Sequence, residues 1–305
     1  MMITVMGEAL IDIIVSPEGE VTSVVGGAPL NTARTLARLG HAVTFLGGVS
    51  SDAFGRRIRR LLDQDGVGLA LGDLLAEPTS LAIAQLDPAG AATYRFMVEG
   101  TAAASVRPAQ AVRALDPDTR VLHVGTLGLM LEPLAHATRA VVDSVASECL
   151  VMIDPNCRPS AMRDSAVFHP TLQAVLARAD VIKVSGDDLH FLSPELDLVA
   201  AARRLQHESR ALVLVTDGAQ AVRVIGPRAE VVIAVPPIDV VDTVGAGDAF
   251  SGGFLSYWQS HDCLRRDLQD MDHVVAAVSF GIRVAGLTCQ KAGAQPPFAA
   301  DVASR

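Results

Sequence analysis

The chain has 305 residues, of which half are hydrophobic, so it can bury a large core without disulfides or a structural metal. Its 34 acidic residues outnumber its 25 basic ones, and the net charge of −9 argues against a nucleic-acid-binding surface, which is usually basic. No uninterrupted apolar run approaches the roughly 18 residues of a membrane span, and acidic residues stand where a signal peptide is apolar; we therefore expect a cytoplasmic protein without a membrane partner.

Short β-branched or apolar runs alternate with amphipathic stretches along the chain, which predicts βα units around a mostly parallel sheet. Strands are predicted at residues 3–6, 43–47, 121–125, 150–154, 181–184 and 212–216. Helices are predicted at residues 29–39, 52–63, 133–146, 171–177, 198–206, 246–258 and 273–285. The fold class is therefore α/β.

Two segments interrupt this rhythm, at residues 10–25 and 80–100. In the second, apolar residues alternate with polar ones through Leu81 and Ile83, and again through Tyr94 and Phe96. Alternation of this kind predicts hairpin-like strands. They could form a small sheet beside the main one, or simple surface hairpins.

The most informative segment is D-T-V-G-A-G-D-A-F at residues 242–250. Gly245, Ala246 and Gly247 stand just before an apolar helix, so their small side chains leave the backbone N–H groups at the helix N-terminus open to an anion. Asp248 would lie beside that anion. A carboxylate next to a phosphate suits a general base that accepts a proton from an attacking hydroxyl group.

This segment resembles the C-terminal signature of the ribokinase-like (PfkB) sugar and nucleoside kinases. G-G-A-P-L-N-T-A at residues 26–33 resembles that family's N-terminal signature, in the form typical of fructokinases. The resemblance implies one kinase domain over residues 1–305, with a three-layer αβα fold, a central mostly parallel sheet, and a β-sheet lid formed by the two interrupting segments. It also implies ATP and Mg²⁺ as cofactors and a small sugar as substrate.

The family pattern implies a sugar site at the ends of the first strands. Asp12 would accept hydrogen bonds from sugar hydroxyl groups, Gly26 and Gly27 would bring bare backbone against the sugar, and Asn31 offers both a donor and an acceptor. Arg158, in the D-x-N-x-R element 154–158, would stabilise charge in the transition state. A turn, a helix start and a structural Arg–Asp pair are the alternatives for these elements.

For the nucleotide and its magnesium ion, the resemblance implies residues on the next two strands. Lys183 and Ser185 would lie near the nucleotide, and Asp188 would help to organise Mg²⁺ through water, with Asp187 as a competing candidate. The family usually has N-x-x-E where this chain has Ser185-x-x-Asp188. Thr216 and Gly218 resemble the family's nucleotide loop, although a plain β-hairpin explains this segment almost as well.

A monovalent cation site is implied near the C-terminus. The Asp242 side chain and the carbonyl groups of Val244, Thr288, Lys291 and Gly293 would hold K⁺ in the way of ribokinase-like relatives. A proline, Pro297, stands where ribokinase has a serine ligand, which leaves K⁺ dependence open.

These elements predict an enzyme that transfers a phosphoryl group from ATP to a primary hydroxyl of a sugar, with fructose favoured by the form of the two motifs. The alternatives are 2-keto-3-deoxygluconate, a nucleoside, or a sugar sensor without catalysis. Exposed edges of the lid strands would also allow a homodimer.

Overall fold

The computed structural model describes residues 2–88, 92–159 and 165–303, which form one large sheet, one small sheet and the surrounding helices. The large sheet has nine strands in the order β13-β12-β11-β10-β9-β8-β1-β4-β5. These strands are β1 (Met2–Met6), β4 (Val43–Leu46), β5 (Gly68–Leu69), β8 (Thr119–Gly125), β9 (Leu150–Asp154), β10 (Val181–Ser185), β11 (Leu212–Thr216), β12 (Val222–Ile225) and β13 (Glu230–Ile233).

The pairs from β5 to β11 are all parallel, whereas β12 and β13 add an antiparallel edge. The six predicted strands are confirmed, and they are the central ones. Their carboxyl ends meet at one edge of the sheet, which is where ligands bind in open α/β sheets.

The seven predicted helices are present, and three short ones were not predicted. The helices are α1 (Ala28–Arg38), α2 (Ala53–Asp65), α3 (Pro108–Ala114), α4 (Leu134–Ser144), α5 (Ser165–Leu176), α6 (Gly186–Leu192), α7 (Leu198–Ser209), α8 (Ala246–Ser260), α9 (Met271–Cys289) and α10 (Ala299–Ala303), with 3-10 turns at Thr126–Leu129 and Arg265–Gln269. The helices that sequence reasoning missed, α3, α6 and α10, have seven residues or fewer, which is too short for a helical period to show.

Two hydrophobic cores cover the two faces of the large sheet. Along β10, Val181 packs into the core under α1, α2, α8 and α9, whereas Ile182 and Val184 pack into the core under α3 to α7. Successive strand residues point to opposite faces, so a parallel strand covered on both sides is apolar throughout. The expected three-layer αβα arrangement is confirmed.

Glycines let α8 pack closely against its two neighbours. A Cβ atom on Gly253 would lie 2.8 Å from the Cα atom of Gly281 on α9, and one on Gly252 would lie 2.6 Å from the Thr35 side chain on α1. These contacts leave no room for a methyl group. The position of α8 is therefore fixed by close packing on both sides.

By length and composition alone, α9 could cross a membrane. It is a core helix, because Val274, Val278 and Ile282 are buried in the core that it shares with α8. Asp272 and Arg283 also interrupt its apolar sequence.

The small sheet has the order β3-β2-β6-β7, with β2 (Leu10–Val15), β3 (Val21–Gly26), β6 (Ser80–Leu86) and β7 (Ala92–Met97). It consists of two antiparallel hairpins joined by the parallel pair β2–β6. The predicted strand segments 10–25 and 80–100 are thus present, except that residues 89–91 lie outside the described part of the chain. One face of this sheet, with Asp12, Val24, Ala82 and Phe96, covers the carboxyl edge of the large sheet.

Replacing Gly253 by Ala should destabilise the fold, although alanine is normally the better helix former. The added methyl group would overpack the α8–α9 contact and lower the free energy of unfolding by about 1–3 kcal/mol. Gly286→Ala on α9 is the matched control, since its Cβ atom would meet only Ile238 at 3.8 Å. This control should gain up to ~1 kcal/mol. Denaturant unfolding checks both, and equal stability of the two variants would contradict the packing account.

Candidate active site

A cavity of about 1150 Å³ lies between the small sheet, the carboxyl edge of the large sheet and the N-terminus of α8. It collects most of the residues that the sequence singled out. Those that line it are Asp12, Gly26, Gly27, Asn31, Arg158, Lys183, Ser185, Thr216, Gly218, Asp242, Val244, Gly245, Ala246, Gly247, Asp248 and Gly293. Three predicted site residues, Asp188, Thr288 and Lys291, do not line it.

The N-terminus of α8 opens into this cavity without a side-chain cap. Gly245 is the N-cap residue and has a left-handed φ of 78°, and a Cβ atom there would lie 2.7 Å from the Cβ atom of Ala294. No described side chain accepts from the first turn; the Ala246 N–H donates to the Thr243 carbonyl at 3.1 Å, which leaves the Gly247 and Asp248 N–H groups for a ligand. With the positive end of the helix dipole these groups suit an anion, and the predicted anion site stays a prediction.

Asp248 is buried beside that anion site and is held by α1. The Asn31 side-chain amide donates a hydrogen bond of 2.9 Å to Oδ2 of Asp248, which is only 8% exposed. Burial raises the pKa of Asp248 to about 6, while the Asn31 hydrogen bond opposes the rise. An acid with such a pKa is ionised at neutral pH and is a stronger base than an exposed aspartate.

A buried ion pair lies beneath the same helix terminus. Lys183 Nζ donates to Oδ2 of Asp154 at 2.9 Å, and both residues are buried. Burial alone would lower the pKa of Lys183, but Asp154 and Asp188 raise it overall, so the amine stays protonated. A Cβ atom on Gly247 would lie 2.8 Å from this ammonium group. The charge is therefore fixed directly against the start of α8.

Asp12 owes its place to Gly26 on the neighbouring strand. A Cβ atom on Gly26 would lie 2.0 Å from Oδ2 of Asp12, so only glycine leaves room for this carboxylate. Burial raises the pKa of Asp12 to about 6, and the positive charge of Arg158 opposes that rise. Asp12 and Arg158 thus act on each other across the cavity.

The loop that carries Arg158 is strained. Asn156 and Thr126 have φ values of 40° and 51°, which non-glycine residues rarely adopt, and the Asn156 side chain donates to Oγ1 of Thr126 at 3.1 Å. Arg158 donates to the Cys157 carbonyl at 3.0 Å and is otherwise exposed to the cavity. Strained residues of this kind cluster at functional sites.

Asp188 makes local hydrogen bonds instead of facing the cavity. Its Oδ2 accepts from the backbone N–H and the hydroxyl of Ser185, and its Oδ1 accepts from the Cys157 N–H at 2.6 Å. This capping box fixes the start of α6 and ties it to the Arg158 loop. Three of the roughly four acceptor sites of a carboxylate are thereby used. Asp187, the competing candidate, lines the cavity.

The segment with Thr216 and Gly218 is the turn of a β-hairpin, because β11 and β12 are antiparallel neighbours. Gly218 has a left-handed φ of 54°, and Thr216 Oγ1 donates to the carbonyl of Val184 at 3.4 Å. The plain hairpin that the sequence allowed is thus present, and both residues also line the cavity.

The residues proposed for a monovalent cation lie together. Asp242 accepts from the N–H groups of Val244, at 3.0 Å, and Gly293, at 2.7 Å, and so joins the two loops. Lys291 N–H donates to the Thr288 carbonyl within the same turn. The Lys291 ammonium points elsewhere, to Asp301 of α10 at 3.6 Å.

Four buried side-chain oxygen atoms lack a hydrogen-bond partner in the described part of the chain, and two of them belong to this site, Oδ1 of Asn31 and Oδ1 of Asp154. An acceptor left unpaired in a buried site is costly unless a ligand or water satisfies it. Asn31 Oδ1 fits a substrate hydroxyl group. Oδ1 of Asp154 fits Mg²⁺ or one of its water ligands, because this ion prefers carboxylate and water oxygens.

Sequence reasoning missed two carboxylates of this site. Glu8, in the turn after β1, lines the cavity although it is 1% exposed, and Asp154 is the partner of Lys183. Glu8 could have been found from the sequence, because it is an acidic residue within an otherwise apolar run. The pairing of Asp154 with Lys183 could not, because it depends on β9 and β10 being neighbours in the sheet.

Comparison with known proteins assigns the chain to a family. The family model described as pfkB family carbohydrate kinase matches residues 1–301. The chain belongs to this family. Its membership confirms the expected activity class, a carbohydrate kinase, and agrees with the uncapped helix terminus and the buried base described above.

Two curated relatives extend this result. A fructokinase from Klebsiella pneumoniae is 35% identical over 265 residues, which cover 85% of this chain and 85% of the relative. A fructokinase from Vibrio alginolyticus is 32% identical over 278 residues, covering 90% of this chain and 87% of the relative.

Solved structures confirm the ribokinase-like fold. Fructokinase from Xylella fastidiosa with bound ATP superposes with a TM-score of 0.87 at 28% identity, covering 99% of this chain and 97% of that one. A fructokinase variant from Vibrio cholerae O395, bound to fructose, ADP and potassium ion, gives a TM-score of 0.85 at 25% identity and covers 99% and 97%. Aminoimidazole riboside kinase from Salmonella enterica, with aminoimidazole riboside and an ATP analogue, gives 0.84 at 25% identity and covers 99% of both.

Removing Lys183 should be far more costly than removing an exposed cation. Lys183→Met leaves Asp154 buried without its partner, and we expect a loss of about 3–5 kcal/mol in the free energy of unfolding at pH 7.5. Arg203→Met breaks the exposed pair with Glu230 and serves as the control, for which we expect little change. Denaturant titration of both variants measures the difference, and similar small losses would show that the buried pair contributes no stability.

Proposed function

We propose that this protein transfers the γ-phosphoryl group of ATP to a primary hydroxyl group of fructose. The observation that carries the proposal is the placement of Asp248, a buried base held by Asn31 at the open N-terminus of α8, within one cavity with Asp12 and Gly26. Two relatives at 32% and 35% identity are fructokinases, which supports fructose as the acceptor.

In this proposal Asp248 accepts the proton of the attacking sugar hydroxyl. Asn31 holds one carboxylate oxygen and leaves the other free to face the hydroxyl group. The unpaired Oδ1 of Asn31, together with Asp12 and the bare backbone at Gly26 and Gly27, would position the sugar. Positioning of both partners is the main contribution that a protein makes to phosphoryl transfer.

Charge that develops during transfer would be stabilised from three sides. The N–H groups of Gly245, Ala246 and Gly247 present the positive end of the α8 dipole, Lys183 lies below them, and Arg158 reaches the cavity from the strained loop. Groups that are fixed before the reaction need no reorganisation when the charge appears.

The nucleotide would be held by the α8 terminus with Lys183, Ser185, Thr216 and Gly218. When bound, Mg·ATP supplies the phosphoryl group, and Mg²⁺ neutralises part of its charge. Oxygen ligands for that ion are available at Asp154, whose Oδ1 is unpaired. The proposed role of Asp188, through water, would use the single acceptor position that its three hydrogen bonds leave.

A monovalent cation beside the anion site is part of the proposal. The Asp242 carboxylate with the carbonyl groups of Val244, Thr288, Lys291 and Gly293 would hold it, and the similar Vibrio cholerae structure contains potassium ion. The close approach of these two loops, joined by Asp242, supports this assignment.

The small sheet would act as a lid that excludes water from the cavity. Its face toward the cavity carries Tyr94 and Phe96, which would contact the sugar, and Tyr94 is 51% exposed. The edge strands β3 and β7 expose Val21 and Met97 and so could pair with a second copy. The lid role of residues 10–25 and 80–100, the homodimer and the cytoplasmic location stay predictions.

The acceptor can be identified by ADP release from Mg·ATP. Purified protein is assayed with fructose, 2-keto-3-deoxygluconate, ribose and a nucleoside at equal concentrations. We expect the highest kcat/KM with fructose. A nucleoside preference would favour the activity of the similar aminoimidazole riboside kinase, and no stimulation by any acceptor would favour a sugar sensor.

Asp248→Asn tests the base. It removes the proton acceptor but keeps the shape of the side chain, so we expect kcat to fall by about 10²–10⁴-fold. The sugar KM should stay within about threefold, since binding contacts remain. Steady-state kinetics measures both values, and an Asn variant with turnover within about tenfold of wild type would exclude this role.

The acid limb of the pH–rate profile should report Asp248. The base must be deprotonated, so kcat/KM falls as the pH drops through the pKa of about 6. Asn31→Ala removes the hydrogen bond that stabilises the carboxylate, so the pKa rises and the limb moves to higher pH. Profiles of wild type and variant between pH 5 and 9 measure the midpoints. An unchanged midpoint would assign the limb to another group.

A further inference from the structure

Glu8 connects two parts of the cavity wall that the chain supplies from distant positions. The first, the Asn31 arm, comprises residues 27–31, and the second, the Arg158 arm, comprises residues 126–127 and 156–158. Glu8 lies in the turn between β1 and β2, and it is a buried carboxylate for which the function proposed above has no role.

The carboxyl group of Glu8 touches the backbone of both arms. The Leu127 N–H donates to Oε2 at 3.1 Å, and the N–H groups of Ala28 and of Glu8 itself lie close enough to this carboxyl group to lower its pKa. Ala28 is the first residue of α1, whose N-cap, Gly27, offers no side chain. The Glu8 carboxyl group therefore lies at the start of α1, where no side chain caps the helix.

Each arm then leads to a residue that faces the substrate. Asn31 N–H donates to the Gly27 carbonyl at 2.9 Å, and the Asn31 side chain holds Asp248. On the other arm, Thr126 accepts from Asn156, two residues before Arg158. A shift at either end of Glu8 would thus reach one side of the sugar site.

The turn that carries Glu8 packs closely against its surroundings. A Cβ atom on Gly27 would lie 2.5 Å from the Glu8 carbonyl oxygen. One on Gly7 would lie 2.4 Å from Pro29 of α1 and 3.4 Å from the Gly125 carbonyl oxygen at the end of β8. The turn therefore lies against the backbone of Gly27 in the Asn31 arm and against Gly125, the residue just before the Arg158 arm, while the Glu8 carboxyl group accepts from Leu127 of that arm.

We propose that Glu8 is a positioning residue that sets the spacing between the Asn31 arm and the Arg158 arm, and thereby the affinity for the sugar. The part that concerns the sugar rests on the proposed function. Glu8 does not contact Asp248 directly, so it acts through the two arms and not on the reacting atoms.

The protonation state of Glu8 gives the inference a second readout. Burial raises the pKa of Glu8 to about 8, and Asp248, the charged group that faces it from α8, raises it further, while the N–H groups of Glu8, Leu127 and Ala28 oppose the rise. The neutral acid therefore dominates at pH 7. As the pH rises through 8, a second buried negative charge forms opposite Asp248 and should loosen the arms.

Three variants test the inference. Glu8→Ala removes the connection, Glu8→Gln imitates the neutral acid, and Asp180→Asn is the control. Asp180 is also a buried carboxylate that accepts a backbone N–H, from Val151 at 2.9 Å, but it lies just before β10 at the far edge of the sheet. Kinetics with fructose and Mg·ATP is measured from pH 6 to 9.5, alongside thermal unfolding.

For Glu8→Ala we expect a fructose KM raised by about tenfold or more and an ATP KM within about twofold of wild type. Glu8→Gln should resemble wild type at pH 7. Above pH 8 the fructose KM should rise in wild type and stay flat in Glu8→Gln. Asp180→Asn should lower the unfolding temperature without this KM split. A Glu8→Ala variant with both KM values unchanged, or with both raised equally, would overturn the inference, as would a Glu8→Gln variant that keeps the alkaline rise.

Stability should follow the same titration. The folded protein holds the Glu8 proton that the unfolded chain releases near pH 4.5, so this carboxyl group makes wild-type stability fall as the pH rises from 4.5 through about 8. In Glu8→Gln that component should be absent. If Glu8→Ala does not fold, the comparison of wild type with Glu8→Gln still decides the question.

Hydrogen exchange separates this inference from the proposed function, because it needs no substrate. Loss of the Glu8 carboxyl group should speed amide exchange at both arms, and Asp180→Asn should leave both unchanged. Should fructose prove not to be phosphorylated while exchange quickens at both arms, the proposed acceptor is wrong and the role of Glu8 stands. Unchanged exchange at either arm would overturn the role of Glu8.

Discussion

The structure depends on the burial of several carboxylates around one uncapped helix terminus. Glu8, Asp12, Asp154 and Asp248 are all acidic groups whose burial raises their pKa values, and the ligand this cavity is built for is itself an anion. Such a site would repel a nucleotide if its acids were simply ionised and unpaired. Its positive potential must come from the α8 dipole, from the Lys183 ammonium and from a metal ion that arrives with the nucleotide.

This need for positive charge explains why Lys183 is buried whereas Arg158 is exposed. Lys183 is enclosed, paired with Asp154 and fixed against Gly247, so it is a permanent part of the anion site. Arg158 is exposed, and among the described residues it donates only to carbonyl groups of its own loop, so it can move toward a charge that forms at the substrate. An enclosed ammonium suits ground-state binding, whereas a free guanidinium suits charge that appears during transfer.

Much of the fold follows from the sequence because its signals are local. Six central strands and seven helices were predicted from periodicity, and the two motifs predicted the α8 anion site and the cavity wall around Gly26. The contacts that the sequence could not show depend on which strands pair and in which register. The close packing of Gly26 against Asp12, where a Cβ atom would lie 2.0 Å from Oδ2, needs the pairing of β2 with β3, and the Lys183–Asp154 pair needs the pairing of β9 with β10. For Asp188, the capping box with Ser185 is local and its spacing is visible in the sequence, whereas the hydrogen bond from the Cys157 N–H is tertiary and could not be predicted.

The position of the α8 N-terminus also depends on a segment outside the two signature motifs, the loop near the C-terminus that contains Ala294. Ala294 packs against the left-handed turn at Gly245 and leaves no room for a Cβ atom there, and Ala294 is held by a hydrogen bond from Arg34 Nη1 to its carbonyl at 3.0 Å. Arg34 and Arg38 of α1 share the buried carboxylate of Asp65 at the end of α2, with Nε–O distances of 2.7 and 2.8 Å. Removing Asp65 would leave two cations without their partner and release the loop that supports the anion site. The geometry of the α8 N-terminus thus depends on the ion pairs that join α1 to α2. A change at Asp65, far from the cavity, can therefore alter that geometry.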